Sequence, residues 1–431
     1  MLFMIGRLNF ESIIMQPKIS NIPDVIIIGA GLAGLAAAIT LKAAGKNIQI
    51  IEASDGIGGR VRTDIIQGYQ LDRGFQVLLT AYPETKRFLD YKRLNLLNFK
   101  PGAMILNQNG STVIGDPLRD PGALLETLLS PAGTLIDKLR MLVLKIKLAS
   151  SSIDQIFERN EITTLAYLSK EGFSKTMMQQ FFTPFMTGIF LEDQLQTSSR
   201  MFEFVFKMFS EGNTSLPAGG MGMITKQLGE NLSPFELVLN EKVIGIEDGK
   251  VLTQSGHIYQ AKSVLIATDL PNIPSAFKRV NIGRHSVLNI YFTTDKAPFM
   301  KPLIALNSKP DKTFNSIAIM NAIAPNYAPE GKSLLSISVV RPYQEIFEPG
   351  LTDAILNELS FWYPEATTWQ HLKTYAIDYA LPNDDTVVNT RGYEAFKLKS
   401  DVFICGDHLL NGSINAALKA GRMAAEAIIA N

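Results

Sequence analysis

The chain has 431 residues, enough for two or three structural domains around a large core. It carries 41 basic and 41 acidic residues, so its formal charge is zero and nothing argues for a nucleic-acid partner. A single cysteine, Cys405, excludes an intrachain disulfide and a cysteine-cluster metal site, and fits a reducing compartment. The 46% hydrophobic content suits a large buried core, a greasy substrate or a membrane-contacting face.

Residues 1–20 fit no domain pattern and are expected to be a disordered extension. The apolar start is short, and no apolar region of signal-peptide length follows. Met15 stands close ahead of the first strand pattern, so either Met1 or Met15 is expected to be the true start.

The stretch 24–63 reads DVIIIGAGLAGLAAAITLKAAGKNIQIIEASDGIGGRVRT. Residues 25–28 are a short, β-branched apolar run, as a strand buried on both faces requires. The candidate cofactor loop follows at once as Gly29, Ala30, Gly31, Leu32, Ala33 and Gly34, in G-x-G-x-x-G spacing. Gly29 turns the chain out of the strand, and Gly31 lets the backbone approach a pyrophosphate. Gly34 lets the next helix pack on the strand. Residues 32–43 are rich in Ala and Leu and predict that helix, with Gly45 at its C-terminal cap. Its N-terminus presents free N–H groups to an anion. Residues 48–51 predict a second strand that delivers Glu52 and Ala53 to its end. Glu52 lies 18 residues past Gly34, where a dinucleotide fold places a carboxylate for the ribose. A glycine-rich turn without a ligand would not need that acid.

Five residues separate Glu52 from the run Gly58, Gly59, Arg60, Val61, Arg62 and Thr63. This E-x5-G-G-R-x-R-T string resembles the signature of the flavin amine oxidase superfamily. That group also holds protoporphyrinogen oxidases, phytoene desaturases and squalene-related desaturases. The resemblance implies FAD as cofactor. Gly58 and Gly59 would let a loop fold over the diphosphate, and Arg60 would offer a planar fork to its charge.

Residues 62–79 predict strands around a turn at Gln67-Gly68. They contain Asp72-Arg73-Gly74-Phe75-Gln76, a D-x-G loop that the resemblance places close to the flavin, through Gln76. Residues 82–91 predict a helix, and residues 96–114 predict two short strands around an Asn-Gly turn. From Asp116 to Ser210 the periodicity is helical. Residues 135–148 are apolar around most of the helix, with Lys and Arg between. They fit a helix packed inside a helical subdomain, the preferred reading, or a surface helix that touches lipid. FFTPFMTGIF at 181–190, and the Phe- and Met-rich 197–209 after it, fit a wide apolar substrate channel or ordinary core.

The string Pro217-Ala218-Gly219-Gly220-Met221 is another superfamily feature, where the chain returns to the FAD domain before a helix. Val243 matches the valine that clamps adenine through its backbone in the family. Residues 251–268 end in the buried strand pattern SVLIAT. Residues 285–294, 316–322 and 334–340 predict strands of a second sheet. Tyr375, Ile377 and Tyr379 share one face of a further strand. The chain closes on VFICGDHLLNGSINAALKAGRMAAEAI, which resembles the family's final flavin motif. Gly406 and Asp407 would face the ribityl chain, and the helix start near Ile414 would stabilise charge on the reduced ring. Ala416 and Ala420 stand where the family usually has Gly and often has Ser.

The expected fold is α/β. A Rossmann-like FAD-binding domain is discontinuous over 21–115, 216–280 and 395–431. A helical insertion covers 116–215, and a mixed-sheet substrate domain covers 281–394. The four histidines fit no metal site; His408 is read as a loop residue, with a place near the flavin as the alternative. The lysine and paired aromatics of true amine oxidases find no counterpart near residues 285–289 or at Leu410 and Ser413. The cysteine used for covalent flavin attachment has none either.

The expected activity is therefore an FAD-dependent oxidoreductase passing a hydride from a hydrophobic substrate to the flavin. No catalytic residue is named. The alternatives are an amine oxidase releasing hydrogen peroxide and a non-redox prenyl-binding protein on the same fold. The lack of a second dinucleotide fingerprint favours dioxygen or a quinone over NADP as electron acceptor. The expected location is cytoplasmic, with peripheral membrane contact left open.

Overall fold

The structure is a computed structural model describing residues 22–277, 283–341 and 349–431. The expectations for residues 1–20 and for the start methionine lie outside these residues.

Four short apolar runs assemble a parallel sheet with one two-residue edge strand. Its order is Leu237–Val238, Ile48–Ile51, Val25–Ile28, Ser263–Ile266, Val402–Ile404. The central strand Val25–Ile28 is buried on both faces, which explains why its four residues do not alternate in polarity. Helix Leu32–Ala43 covers this sheet beside the C-terminal helix Ile414–Ala430. The two helices touch because Gly421 lacks a side chain; a Cβ there would lie 2.0 Å from the Ala33 carbonyl oxygen.

A second, seven-stranded sheet is mixed. Its order is Gln370–Pro382, Arg284–Thr294, Ser333–Val339, Ser316–Ile319, Ile304–Asn307, Gly102–Asn107, Gly110–Gly115. The last two strands depart from the sequence reading, which kept residues up to 115 with the nucleotide-binding part. Gly102–Asn107 pairs in parallel with Ile304–Asn307 and buries Ala103, Ile105 and Leu106. Such a pairing across 200 residues leaves no local mark on the sequence.

Residues 121–211 form helices joined by loops. Thr134 and Asp137 form a reciprocal cap at the start of helix Leu135–Ala149. The preferred reading placed this helix inside the subdomain. Instead only Asp137, Leu144 and Leu148 are buried, and its opposite face is open to solvent. Among the described residues, no helix is long and apolar enough to cross a membrane.

Candidate functional site

The carboxyl ends of the central parallel strands open onto one cavity of about 1420 Å³. Open α/β sheets bind ligands at such ends. Gly29 leaves the first strand with φ +103°, donating its N–H to the Ile51 carbonyl at 2.9 Å. A Cβ on Gly34 would stand 2.0 Å from the Gly29 carbonyl oxygen, so this glycine sets the helix on the strand. A Cβ on Gly31 would meet no atom within 4 Å, and Gly31 lines the cavity. The helix behind it starts without a side-chain cap, leaving its first N–H groups to whatever fills the space.

Glu52 is buried at the end of the second strand. One oxygen accepts from the Ala30 N–H at 2.7 Å, and the other accepts from the Ser54 N–H and hydroxyl at 2.9 and 2.7 Å. Glu241 donates its N–H to the Glu52 carbonyl, bringing Val243 alongside. Gly58 donates its N–H to the Ala30 carbonyl at 2.8 Å and carries the glycine loop over the cavity. Arg60 ties distant segments together. Its guanidinium donates to Asp407 Oδ2 at 2.7 Å and to the Ala380 carbonyl at 2.9 Å, and lies 5.2 Å from the Tyr379 ring.

Gly29, Gly31, Leu32, Ala33, Glu52, Ala53, Gly58, Gly59, Arg60, Gln76, Val243, Gly406, Asp407 and Ile414 all line this cavity. Ala30 and Gly34 do not. Both polar groups of Ala30 are taken within the protein, by Glu52 and by Gly58, and Gly34 faces the Gly29 carbonyl. His408 is half-buried outside the cavity lining, and the loss of solvent around the ring lowers its pKa, keeping it neutral.

Three buried polar atoms on or beside the cavity wall have no partner: Gln76 Oε1, Thr268 Oγ1 and the Tyr379 hydroxyl. Burial holds the Tyr379 phenol far above its usual pKa, so it stays protonated. Thr268 and Tyr379 escaped the sequence reading as site residues. The signal for Thr268 was its position just past strand Ser263–Ile266, level with Ala30. Among the described residues, no group of His, Cys, Asp or Glu could hold a metal ion.

The D-x-G loop divides in two. Arg73, Gly74, Phe75 and Gln76 line the cavity, whereas Asp72 turns into the core. There it accepts from Thr63 Oγ1 at 2.5 Å, the Tyr327 hydroxyl at 2.7 Å and the Met221 N–H at 2.9 Å. Its pKa is pushed up to about 6 by burial, against the pull of those donors.

Beyond Tyr379 and Ile414 the cavity continues into the helical region. Phe181, Phe185 and Phe209 line it there, with Phe185 5.3 Å from Phe181 and 5.4 Å from Phe209 between ring centroids. A π-helical turn, Met178–Phe182, precedes helix Thr183–Phe190 and aims this cluster.

A parallel sheet, an uncapped helix over an open glycine, a buried acid and unpaired polar groups along an elongated cleft define a dinucleotide-binding protein of the flavin type. The model of the flavin containing amine oxidoreductase family matches residues 32–429, and the chain belongs to that family. FAD is the cofactor of this family, and the cavity fits it: Gly31 leaves room for a diphosphate, and polar atoms wait along the wall.

An L-amino-acid oxidase of Crotalus adamanteus is 30% identical over 164 residues, 36% of this chain and 31% of the relative. Polyamine oxidase 3 of Oryza sativa subsp. japonica is 24% identical over 306 residues, 64% of this chain and 60% of the relative. The chain thus spans about a third and three fifths of the lengths of these two. Among solved structures, a putative protoporphyrinogen oxidase from Exiguobacterium sp. 255-15 superposes with TM-score 0.68 at 18% identity, covering 94% of this chain and 98% of its own. An oxidoreductase from Methanosarcina mazei gives 0.70 at 16% identity, covering 92% and 98%. These likenesses concern the fold.

Proposed function

We propose that the chain is a dehydrogenase or desaturase that oxidises a C–C bond of a hydrophobic substrate to C=C, with a hydride leaving one carbon for the flavin and a proton leaving the neighbouring carbon for solvent. One observation carries the reading: the cavity beyond the dinucleotide cleft is walled by Met177, Phe181, Phe185 and Phe209 on one side and by Val287 and Ile377 on the other. Such a wall gains free energy by covering apolar surface, and these six residues bring no carboxylate to pair with an ammonium group.

When bound, FAD supplies a two-electron acceptor that takes the hydride at N5. The protein's part is position and field. Gly31 and the N-terminus of helix Leu32–Ala43 would hold the diphosphate, with Gly58, Gly59 and Arg60 closing over it. Glu52 would accept from the ribose, and Val243 would meet the base through its backbone. Asp407 and the start of helix Ile414–Ala430 would hold the far end. Arg60, already bound to Asp407 and the Ala380 carbonyl, would fix the strand that carries Tyr379 against the cleft. The aromatic cluster would keep water from the reacting bond. Dioxygen or a quinone would take the electrons onward.

Amine oxidation with release of hydrogen peroxide is the second reading, favoured by relatives named as amino-acid and polyamine oxidases. An anaerobic titration separates the two. Bleaching of the yellow protein by polyenes or other desaturable apolar compounds is the expected result. Bleaching by simple amines, with hydrogen peroxide on admission of air, would replace the first reading by the second.

A further inference from the structure

Half of the large hydrophobic side chains that are exposed among the described residues lie between Leu118 and Ile146. They are not scattered. On helix Leu135–Ala149, Ile136, Leu139, Val143 and Ile146 recur at three- and four-residue spacing and form one stripe, each more than half exposed. The neighbouring helix Leu124–Leu129 adds Leu125 at 66% and Leu129 at 74% exposure. Lys138 Nζ donates to the carbonyls of Leu128 at 3.0 Å and Ser130 at 2.7 Å, joining the two helices into one surface.

The charge on this surface is mainly of one sign. Helix Leu135–Ala149 carries Lys138, Arg140, Lys145 and Lys147, and its one acid, Asp137, is buried against Ser174. Lys145 pairs with Asp116, Lys147 with Glu171, and Glu126 of the neighbouring helix with Lys301, whereas Lys138 and Arg140 donate to backbone carbonyls, so the excess of cations rests on these two. The patch also surrounds an opening. Leu124, Leu128, Leu135 and Leu139 line the same cavity that runs back to Tyr379.

We propose that this face docks on an anionic lipid bilayer, and that an apolar substrate passes from the lipid into the cavity mouth. The passage rests on the hydrophobic-substrate reading above; the docking rests on the patch alone. Leucines at the acyl boundary with Lys and Arg among the headgroups are the arrangement an interfacial helix uses. An apolar surface of this extent has a partner in a soluble protein. A bilayer suits it better than a second copy of the chain, because a second copy seated there would cover the opening.

The test is flotation of the flavin-loaded protein with vesicles of phosphatidylcholine alone and of phosphatidylcholine mixed with phosphatidylglycerol. The protein should float with the mixed vesicles and release at high salt. The variant Ile136→Glu/Val143→Glu should lose about tenfold of that binding while keeping its flavin absorbance. Both positions are exposed and outside the cavity lining. No flotation of the wild type, or equal flotation of the variant, overturns the docking. A dimer in sedimentation velocity that the variant abolishes overturns it too, in favour of self-association. Flotation without bleaching by any apolar compound keeps the docking and removes the substrate reading.

Discussion

The two ends of the cavity are built from different materials. The dinucleotide end is made by backbone: Gly29, Gly31 and Gly34 place a turn, an opening and a helix contact, and Glu52 seals them by accepting from the Ala30 N–H. The far end is made by side chains, with Phe181, Phe185 and Phe209 packed on helices that meet only in three dimensions. Backbone constraints are local and leave glycines at fixed spacing. Aromatic walls tolerate exchange among residues of similar volume and leave only a composition. One end therefore carries the mark of a family, and the other leaves none.

The largest effect should come from filling the opening at Gly31. Gly31→Val leaves φ −75° undisturbed and meets no neighbouring atom, so the empty protein should fold normally. The new side chain occupies the space beside the helix N-terminus. Loss of two charge-assisted hydrogen bonds amounts to about 4 kcal/mol, or roughly a thousandfold in FAD affinity. Flavin content after gel filtration and the thermal midpoint of the apoprotein measure the two halves of this expectation. A variant that retains FAD would move the diphosphate away from this helix.

Next comes Asp72, which joins the nucleotide-binding part to the second sheet without touching the cavity. It ties Thr63 and Met221 of the nucleotide-binding part to Tyr327, which follows the second sheet's strand Ser316–Ile319. Its pKa in the folded chain, about 6, lies above the ordinary 3.8. The folded state therefore binds the proton more tightly between those values. The associated stability is complete below pH 4 and is lost as pH rises through about 6. That shift corresponds to about 3 kcal/mol. Asp72→Asn should flatten this part of the stability curve, read by denaturant unfolding between pH 4 and 7. An unchanged slope would assign the pH dependence to other groups.

How much could be read in advance follows the same division. The stretch 24–63 disclosed a strand, a glycine turn, a helix, an acid and an arginine, and all five contribute residues to one cavity in the folded chain. Arg60 and Asp407 are 347 positions apart and meet at 2.7 Å, a pairing that two separate motifs implied only through a shared ligand. Thr268 and Tyr379 carried no motif; Thr268 had only its place past a buried strand to mark it, and burial with an unpaired hydroxyl reveals both. The strands at 102–115 join the other sheet because the parallel partner lies at 304–307, which no local pattern encodes. Helix Leu135–Ala149 misled for a related reason. Apolar residues around most of a helix identify no buried side until the neighbours are known.

The smallest effect tests that last point. Ile146 is 59% exposed on the open stripe of this helix. Glutamine has at least the helix propensity of isoleucine, and an exposed side chain has little burial to lose. Ile146→Gln should thus change unfolding free energy by no more than about 0.5 kcal/mol in the absence of lipid. The opposite face behaves differently, since Leu144 is 1% exposed and its truncation would open a cavity. Urea unfolding of the isolated protein measures the difference. A destabilisation of several kcal/mol at Ile146 would mean that the stripe is already covered in solution, by residues outside those described or by another copy. The contrast between a side that builds the fold and a side kept free for a partner would then be gone.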